Sequence, residues 1–156
     1  MPSPESYLEA TNLTLPRMPP PVGAYRPLVV VDGMAYTSGH GPVRLDGTPV
    51  VGRLGEDLDL EAGVEAADLT ALTMLHTLRE ELGSLDRVDR LVKAFGMVNA
   101  APSFVDHPAV IDGFSQRMAA VFGPDRGIGA RSAVGVTSLP FHTAVEIEAV
   151  FKLRAG

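Results

Sequence analysis

Apolar residues at alternating positions mark two strands near the start of the chain, on either side of Asp32-Gly33. Residues 26–31 and 34–38 are rich in valine, threonine and tyrosine, which favour strands. An Asp-Gly pair between two such runs favours a type I′ turn, because both turn residues adopt a positive φ. The pattern therefore predicts an antiparallel hairpin. A glycine-rich corner at 39–42 follows it, where a ligand can approach the backbone.

Two predicted helices each carry a single apolar stripe. Apolar residues recur every three or four positions from 59 to 82 and from 108 to 122, which is the period of one helix face. Asp59 is a suitable N-cap for the first helix and Gly83 a suitable stop. The segment between the helices, from Leu85 to about 99, alternates and predicts a third strand.

The last two apolar segments, 130–138 and 144–150, predict a pair of C-terminal strands joined by a turn at 139–142. Folding them as a direct antiparallel pair sets Arg131 near Glu146, within a register error of two positions. Such a pair is usually a cross-strand ion pair worth about 0.2–1 kcal/mol. The small neighbours Ala133 and Gly135 also permit an anion-binding cleft with a carboxylate beside it.

This order of elements predicts an α+β fold, with a mixed β-sheet and two helices packed on one face. Helices that alternate with strands require at least one crossover connection. The opposite sheet face is expected to hold Arg131, Glu146 and Glu148 among small and apolar residues. Such a face is poorly suited to water, and we therefore expect it to meet a second copy of the chain.

Composition and charge narrow the class of protein. The 156 residues include no cysteine and carry a formal net charge of −6, which indicates a cytoplasmic location and disfavours nucleic acid as a partner. No run of about 18 apolar residues occurs, so no membrane span is expected. Residues 1–24 are predicted to be a proline-rich arm, extended or irregular and either docked or free, before a single domain at 25–156.

Candidate chemistry follows from elimination. The four histidines lack metal-ligand spacing, and no P-loop, dinucleotide or serine-hydrolase motif occurs. We therefore expect no metal and no cofactor. What remains is Arg131, whose planar guanidinium suits a substrate carboxylate. Glu146 can orient or deprotonate a water if burial raises its pKa.

Several segments together resemble the RidA/YjgF family of imine deaminases, formerly called the endoribonuclease L-PSP family. The resemblance is carried by residues 22–25, 36–42, 130–134, 139–140 and 145–149. Ala-Arg-Ser, Leu-Pro and Val-Glu-Ile-Glu-Ala at this spacing are specific in combination. The similarity extends over about residues 15–154, nearly the whole chain.

The resemblance implies a chorismate-mutase-like fold, assembled as a homotrimer with clefts between subunits. It also implies hydrolysis of 2-imino acids to 2-keto acids and ammonia without a cofactor. By position, Arg131 would hold the substrate carboxylate and Glu146 would place the attacking water. Tyr25 and the Gly39 backbone would line the cleft. The resemblance also implies that Ala133 contacts the substrate. Ser38 and His40 are further candidate site residues. One position on the second helix would be filled by either Asp112 or Ser115.

Two cleft positions depart from the family pattern. Ala133 stands where deaminase-active members often carry cysteine, and His40 stands where glutamine is common. The region 99–116 differs as well, which is typical of a less characterised branch.

Three hypotheses follow. The leading one is cofactor-free deamination of a small 2-imino or enamine carboxylic acid. The first alternative is a non-catalytic protein that binds small carboxylates through Arg131, with Glu146 structural. The second is an endoribonuclease, which the acidic charge disfavours.

Overall fold

A mixed five-stranded sheet, covered on one face by helices, forms the centre of the computed structural model, which describes residues 1–156. The predicted α+β class is confirmed. The strands are β1 (Leu28–Val31), β2 (Met34–Thr37), β3 (Val88–Asn99), β4 (Ala130–Val136) and β5 (Val145–Leu153). The helices are α1 (Pro4–Thr11), α2 (Leu60–Leu82), α3 (His107–Phe122) and the short α4 (Pro124–Gly127).

Local signals place several elements where the sequence predicts them. Asp32 and Gly33 form the turn between β1 and β2 with φ angles of 50° and 74°, both positive as a type I′ turn requires. At the start of α2 the Asp59 carboxylate accepts a hydrogen bond from the Ala62 amide at 2.9 Å. At its end Gly83 adopts a φ of 81°.

The predicted direct pairing of the two C-terminal strands is wrong. The strand order is β1-β2-β5-β3-β4, so β3 lies between β4 and β5. Arg131 pairs with Ala94 in a parallel register, and Glu146 pairs with Met97 in an antiparallel register. The connection after β4 carries the chain past β3, because β5 in this position forms ladder hydrogen bonds with both β2 and β3.

Arg131 and Glu146 lie on opposite faces of the sheet, which corrects the expectation that they share one. Residues paired across neighbouring strands point to the same side. Ala94 and the Gly96 backbone face the helices: a Cβ added to Gly96 would lie 2.6 Å from the Ile111 side chain of α3. Arg131 is paired with Ala94 and therefore faces the helices, whereas Glu146, paired with Met97, points to the other side.

The uncovered side of the sheet, called here the open face, is partly apolar. Val29 pairs with Tyr36 across β1 and β2, and Met97 pairs with Val134 across β3 and β4. Val29, Tyr36 and Val134 are 44%, 46% and 38% exposed. Beneath the helices, by contrast, a cluster of 31 buried apolar residues forms the core.

The N-terminal arm begins with a helix, so the expectation of an extended or irregular arm is wrong for residues 4–11. The Ser3 hydroxyl accepts a hydrogen bond from the Ser6 amide and caps α1. Leu8 is only 4% exposed and joins the core. The Glu5 carboxylate accepts a hydrogen bond from the Leu85 amide at 2.8 Å and pairs with Arg79 at 2.9 Å. The arm is therefore docked on the domain.

Helices α2 and α3 approach each other closely at Gly113, where a Cβ would overlap the Val64 carbonyl. Gly113→Ala is expected to lower the free energy of unfolding by about 1–3 kcal/mol, because overpacking forces the helices apart. Helix propensity acts in the opposite direction by about 1 kcal/mol. Urea unfolding measures the effect. Gly23→Ala is the control, since its Cβ would have ordinary contacts from 3.4 Å, and equal stabilities for both variants would contradict the prediction.

Candidate active site

A groove of about 770 Å³ contains Glu146 and runs from β5 to the corner after β2. Tyr25, Ser38 and Gly39 line it. The remaining walls come from the arm, from the 42–49 loop and from the turn between β4 and β5.

The Glu146 carboxylate lies directly against the backbone of Gly39. A Cβ at Gly39 would be 2.7 Å from the Glu146 Oε2 atom, so the carboxylate takes this position because residue 39 has no side chain. Two backbone hydrogen bonds between His40 and Ile147, of 2.8 and 2.9 Å, hold the corner against β5. Burial raises the pKa of Glu146, and the charge of Glu148 raises it further.

Tyr25 and Ser38 differ in how free their polar groups are. Tyr25 is 53% exposed at the groove, and its phenol has room to meet a ligand. The Ser38 hydroxyl donates a 2.5 Å hydrogen bond to the Arg26 carbonyl. Ser38 thus joins the segment before β1 to the end of β2, and its proton is already engaged.

His40 lies in the protein interior and not in the groove. Its side chain is 1% exposed, with Nδ1 2.7 Å from the Ser38 carbonyl and Nε2 2.8 Å from the Thr77 hydroxyl. Burial lowers the pKa of His40. A neutral ring that donates from Nδ1 and accepts at Nε2 satisfies both contacts. His40 therefore ties the glycine corner to α2.

Arg131 reaches over to α3, where it contacts both of the alternative helix residues. Its Nη1 donates to Asp112 Oδ1 at 2.8 Å and to Ser115 Oγ at 3.0 Å, and its Nη2 donates to the Pro108 carbonyl at 3.3 Å. A guanidinium has five N–H donors, so these three bonds leave the Nε donor and one Nη2 donor. Ala133, two residues on, packs against the core.

Arg131 and Glu146 are too far apart in one chain to hold one small molecule. They are separated by two strand spacings and by three positions along the strands. Strands lie about 4.8 Å apart and residues advance about 3.3 Å, which puts the two Cα atoms roughly 14 Å apart. The structure thus brings Tyr25, Ser38, Gly39 and Glu146 together in the groove. It holds Arg131, Asp112 and Ser115 in a second cluster on the helix side.

Sequence reasoning did not assign several groove residues to the site. Glu148 could be found from its alternation with Glu146, but the arm residues Met18 and Pro20 and the turn residue Phe141 could not. Phe141 and the following residue have φ angles of 56° and 58°, which no local motif indicates.

No group of three or more metal-ligating side chains occurs, and none of the helices has the length and hydropathy of a membrane span.

Comparison with known proteins agrees with the fold. The family profile described as "YjgF/chorismate_mutase-like, putative endoribonuclease" matches residues 5–146. The chain belongs to this family. Protein TCP17 of Trypanosoma cruzi is 37% identical over 147 residues, covering 94% of this chain and 92% of that protein.

Two solved structures are also similar to this chain. The protein Atu1372 of Agrobacterium tumefaciens, described as of unknown function, is 34% identical with a TM-score of 0.86. The match covers 97% of this chain and 92% of the Atu1372 chain. A "putative endoribonuclease" from Shewanella oneidensis MR-1 is 29% identical with a TM-score of 0.91, covering 97% and 100%. The family resemblance drawn from the sequence is confirmed, and a relative without known function agrees with a less characterised branch.

Proposed function

We propose that this YjgF-family protein hydrolyses a 2-imino or enamine carboxylic acid to a 2-keto acid and ammonia, without a cofactor. The observation that carries the proposal is Glu146, a half-buried carboxylate with a raised pKa that lies in an open groove against the Gly39 backbone. A carboxylate whose pKa is raised toward the working pH is suited to take up and return a proton.

Glu146 acts as base and then as acid in this reaction. It accepts a proton from water as the water oxygen bonds to C2 of the protonated imine and the C=N electron pair moves to nitrogen. Glu146 then returns that proton to the nitrogen. The C–N bond breaks and ammonia leaves, and the hydroxyl proton passes to Glu146 and from there to solvent, which gives the keto acid and restores the carboxylate. The negative charges of Glu146 and Glu148 also favour the cationic form of the imine, which is the more reactive one.

The substrate carboxylate is held by Arg131 of a second copy of the chain. Three features support this part of the proposal. Arg131 and Glu146 of one chain are roughly 14 Å apart on opposite faces, β4 is an edge strand, and the open face exposes Val29, Tyr36 and Val134. We infer a closed homo-oligomer, a trimer as the resemblance implies, with each cleft shared between neighbours.

The absence of cysteine fits the reducing cytoplasm.

A non-catalytic carboxylate-binding protein is the alternative. It is favoured by the contacts that orient Arg131, because Asp112 and Ser115 fix its guanidinium without any part played by Glu146. RNA cleavage, which the name of the family suggests, fits the groove less well. Glu146 and Glu148 repel phosphate, and a nucleic-acid site requires neutralising cations.

A coupled assay tests the proposal. An amino-acid oxidase generates the imine from alanine or 2-aminobutyrate, and semicarbazide traps whatever imine remains. We expect this protein to speed keto-acid release and to lower semicarbazone formation, and the Glu146→Gln variant to do neither. No acceleration with any of several imines would leave carboxylate binding as the surviving function.

The pH dependence of the reaction is expected to change when Glu148 loses its charge. Burial and Glu148 both raise the pKa of Glu146, so Glu148→Gln lowers it. Because Glu146 must be ionised to accept the proton, the acid limb of kcat/KM shifts to lower pH in this variant. Rate profiles of both proteins measure the shift, and an unmoved or upward-shifted limb would contradict the assignment.

A further inference from the structure

The groove around Glu146 is much larger than a two- or three-carbon imine requires. Its volume of about 770 Å³ lies within the range of pockets that enclose drug-sized ligands, ~300–1,000 Å³. Glu146 and Glu148 stand on β5, whereas the arm and two loops supply the other walls of the groove. The volume beyond the reacting atoms therefore belongs to the part of the substrate that does not react.

These outer walls are apolar and stiff. They include Pro19 and Pro20 from the arm, Pro42 and Val43 after β2, and Pro49 and Phe141 from the loops. Proline has a fixed φ and no amide donor, so these segments offer few hydrogen bonds to a polar side chain. Such walls select for apolar shape rather than for hydrogen bonding.

Phe141 is a wall residue with an exposed ring and an uncommon backbone conformation. Its side chain is 81% exposed and its backbone lies in the left-handed region at φ 56°. Residues other than glycine seldom adopt this conformation, and those that do are concentrated at functional sites. An aromatic ring exposed at a groove wall contributes little to the core, but it gains apolar contact once a ligand covers it.

The arm wall is tethered at its N-terminal end. The contacts of Glu5 with Arg79 and with the Leu85 amide anchor α1, and Leu13 and Leu15 pack against the core between α1 and the groove. The segment from Met18 to Val22 is thus tethered at its start. It continues to Tyr25 at the groove, so this wall is connected to the core through the preceding residues.

We propose that the substrate of this site carries a large apolar side chain, branched aliphatic or aromatic, which binds between Phe141 and the arm prolines Pro19 and Pro20. The inference rests on the proposed function for the imino-acid part of the substrate. The side chain is selected by the walls described above. Each methylene buried there strengthens binding about fourfold.

Binding of 2-keto acids, the products of the reaction, tests the inference without turnover. Calorimetric titration of the wild-type oligomer compares pyruvate with 4-methyl-2-oxopentanoate and phenylpyruvate. We expect Kd for the two larger acids to be lower by about tenfold or more. Phe141→Ala keeps a Cβ at the same backbone position and is expected to reduce that ratio to roughly threefold or less.

The control is Ile128→Ala, which removes an apolar side chain that is 55% exposed and lies outside the groove. It should leave the ratio of Kd values unchanged. Equal affinity for all three acids, no binding of any of them, or an equal loss for all three in Phe141→Ala would overturn the inference.

The coupled assay separates this inference from the proposed function. A protein that prefers the larger keto acids but accelerates no imine hydrolysis would refute deamination and retain the apolar subsite. A protein that hydrolyses 2-iminopropanoate as fast as the leucine-derived imine, and shows no preference among keto acids, would retain deamination and refute the subsite.

Discussion

Two inactive variants, Arg131→Ala and Glu146→Gln, are expected to regain activity when their chains assemble into one oligomer. Each variant alone should lose about 100-fold or more in kcat/KM, because one removes the carboxylate-binding group and the other the proton-transfer group. In a mixed oligomer, some clefts receive an intact Arg131 from one chain and an intact Glu146 from its neighbour. In a mixed ring of three chains, one of the three clefts is complete, so isolated mixed oligomers should regain about a third of the wild-type activity.

Co-expression of differently tagged chains and isolation of the mixed oligomers measures this recovery. The matched control pairs Glu146→Gln with Gly39→Ala. The Cβ of the latter would displace the Glu146 carboxylate from its position 2.7 Å away. Both lesions lie in the same half of the cleft, so no arrangement of these chains yields an intact groove. Recovery in the control, or none in the test pair, would contradict a cleft shared between subunits, and so would a monomer in solution.

Glu146→Gln is expected to lower kcat by about 10²–10⁴-fold, the usual contribution of a general acid–base group, and yet to stabilise the fold at neutral pH. Burial raises the pKa of Glu146, so the folded state binds the proton more tightly than the unfolded state does. Above that pKa, the ionised carboxylate lowers the free energy of unfolding. The penalty disappears as the pH falls through the pKa of the folded state.

Thermal unfolding of the wild-type protein and of Glu146→Gln as a function of pH tests the expected gain in stability. The midpoint of the variant should be higher by roughly 1–3 °C near neutrality, a small gain because solvent partly screens the side chain. The gain should vanish in acid. Glu80→Gln, on the exposed side of α2, serves as the control and should change neither property. A variant that is less stable at neutral pH, or that keeps full turnover, would exclude Glu146 as the buried base.

Local chemistry explains where sequence reasoning succeeded. The Asp32-Gly33 turn, the Asp59 cap and the Gly83 stop depend on residues within a few positions of one another. Their outcome therefore needs no knowledge of the rest of the chain. The sequence pattern does not predict helix α1, although Ser3 and Pro4 form a suitable start, because the prolines of the following segment dominate the composition of the arm.

The pairing of strands that are distant in the sequence explains where the sequence-based prediction failed. Alternation along β4 and β5 separates the residues of each strand into two sets, but it does not say which strand lies beside which. Because β3 lies between β4 and β5, each of these two strands pairs with β3 and not with the other. Arg131 consequently faces the helix side, where Asp112 and Ser115 orient it. The short turn at 139–142 suggested a hairpin because hairpins are the commonest result of such spacing, although β5 gains more hydrogen bonds between β2 and β3.

The sequence by itself determined the types of the main elements after the arm, the turn and caps, the α+β class and the family, since each depends on local spacing or on motifs that survive in the residues. Only the tertiary structure decided that Glu146 rests on the Gly39 backbone in an apolar groove while Arg131 lies on the other side of the sheet. The physical reason is that faces and grooves arise from the order in which distant strands pair and from where the arm docks, and both are set by burial summed over the whole chain.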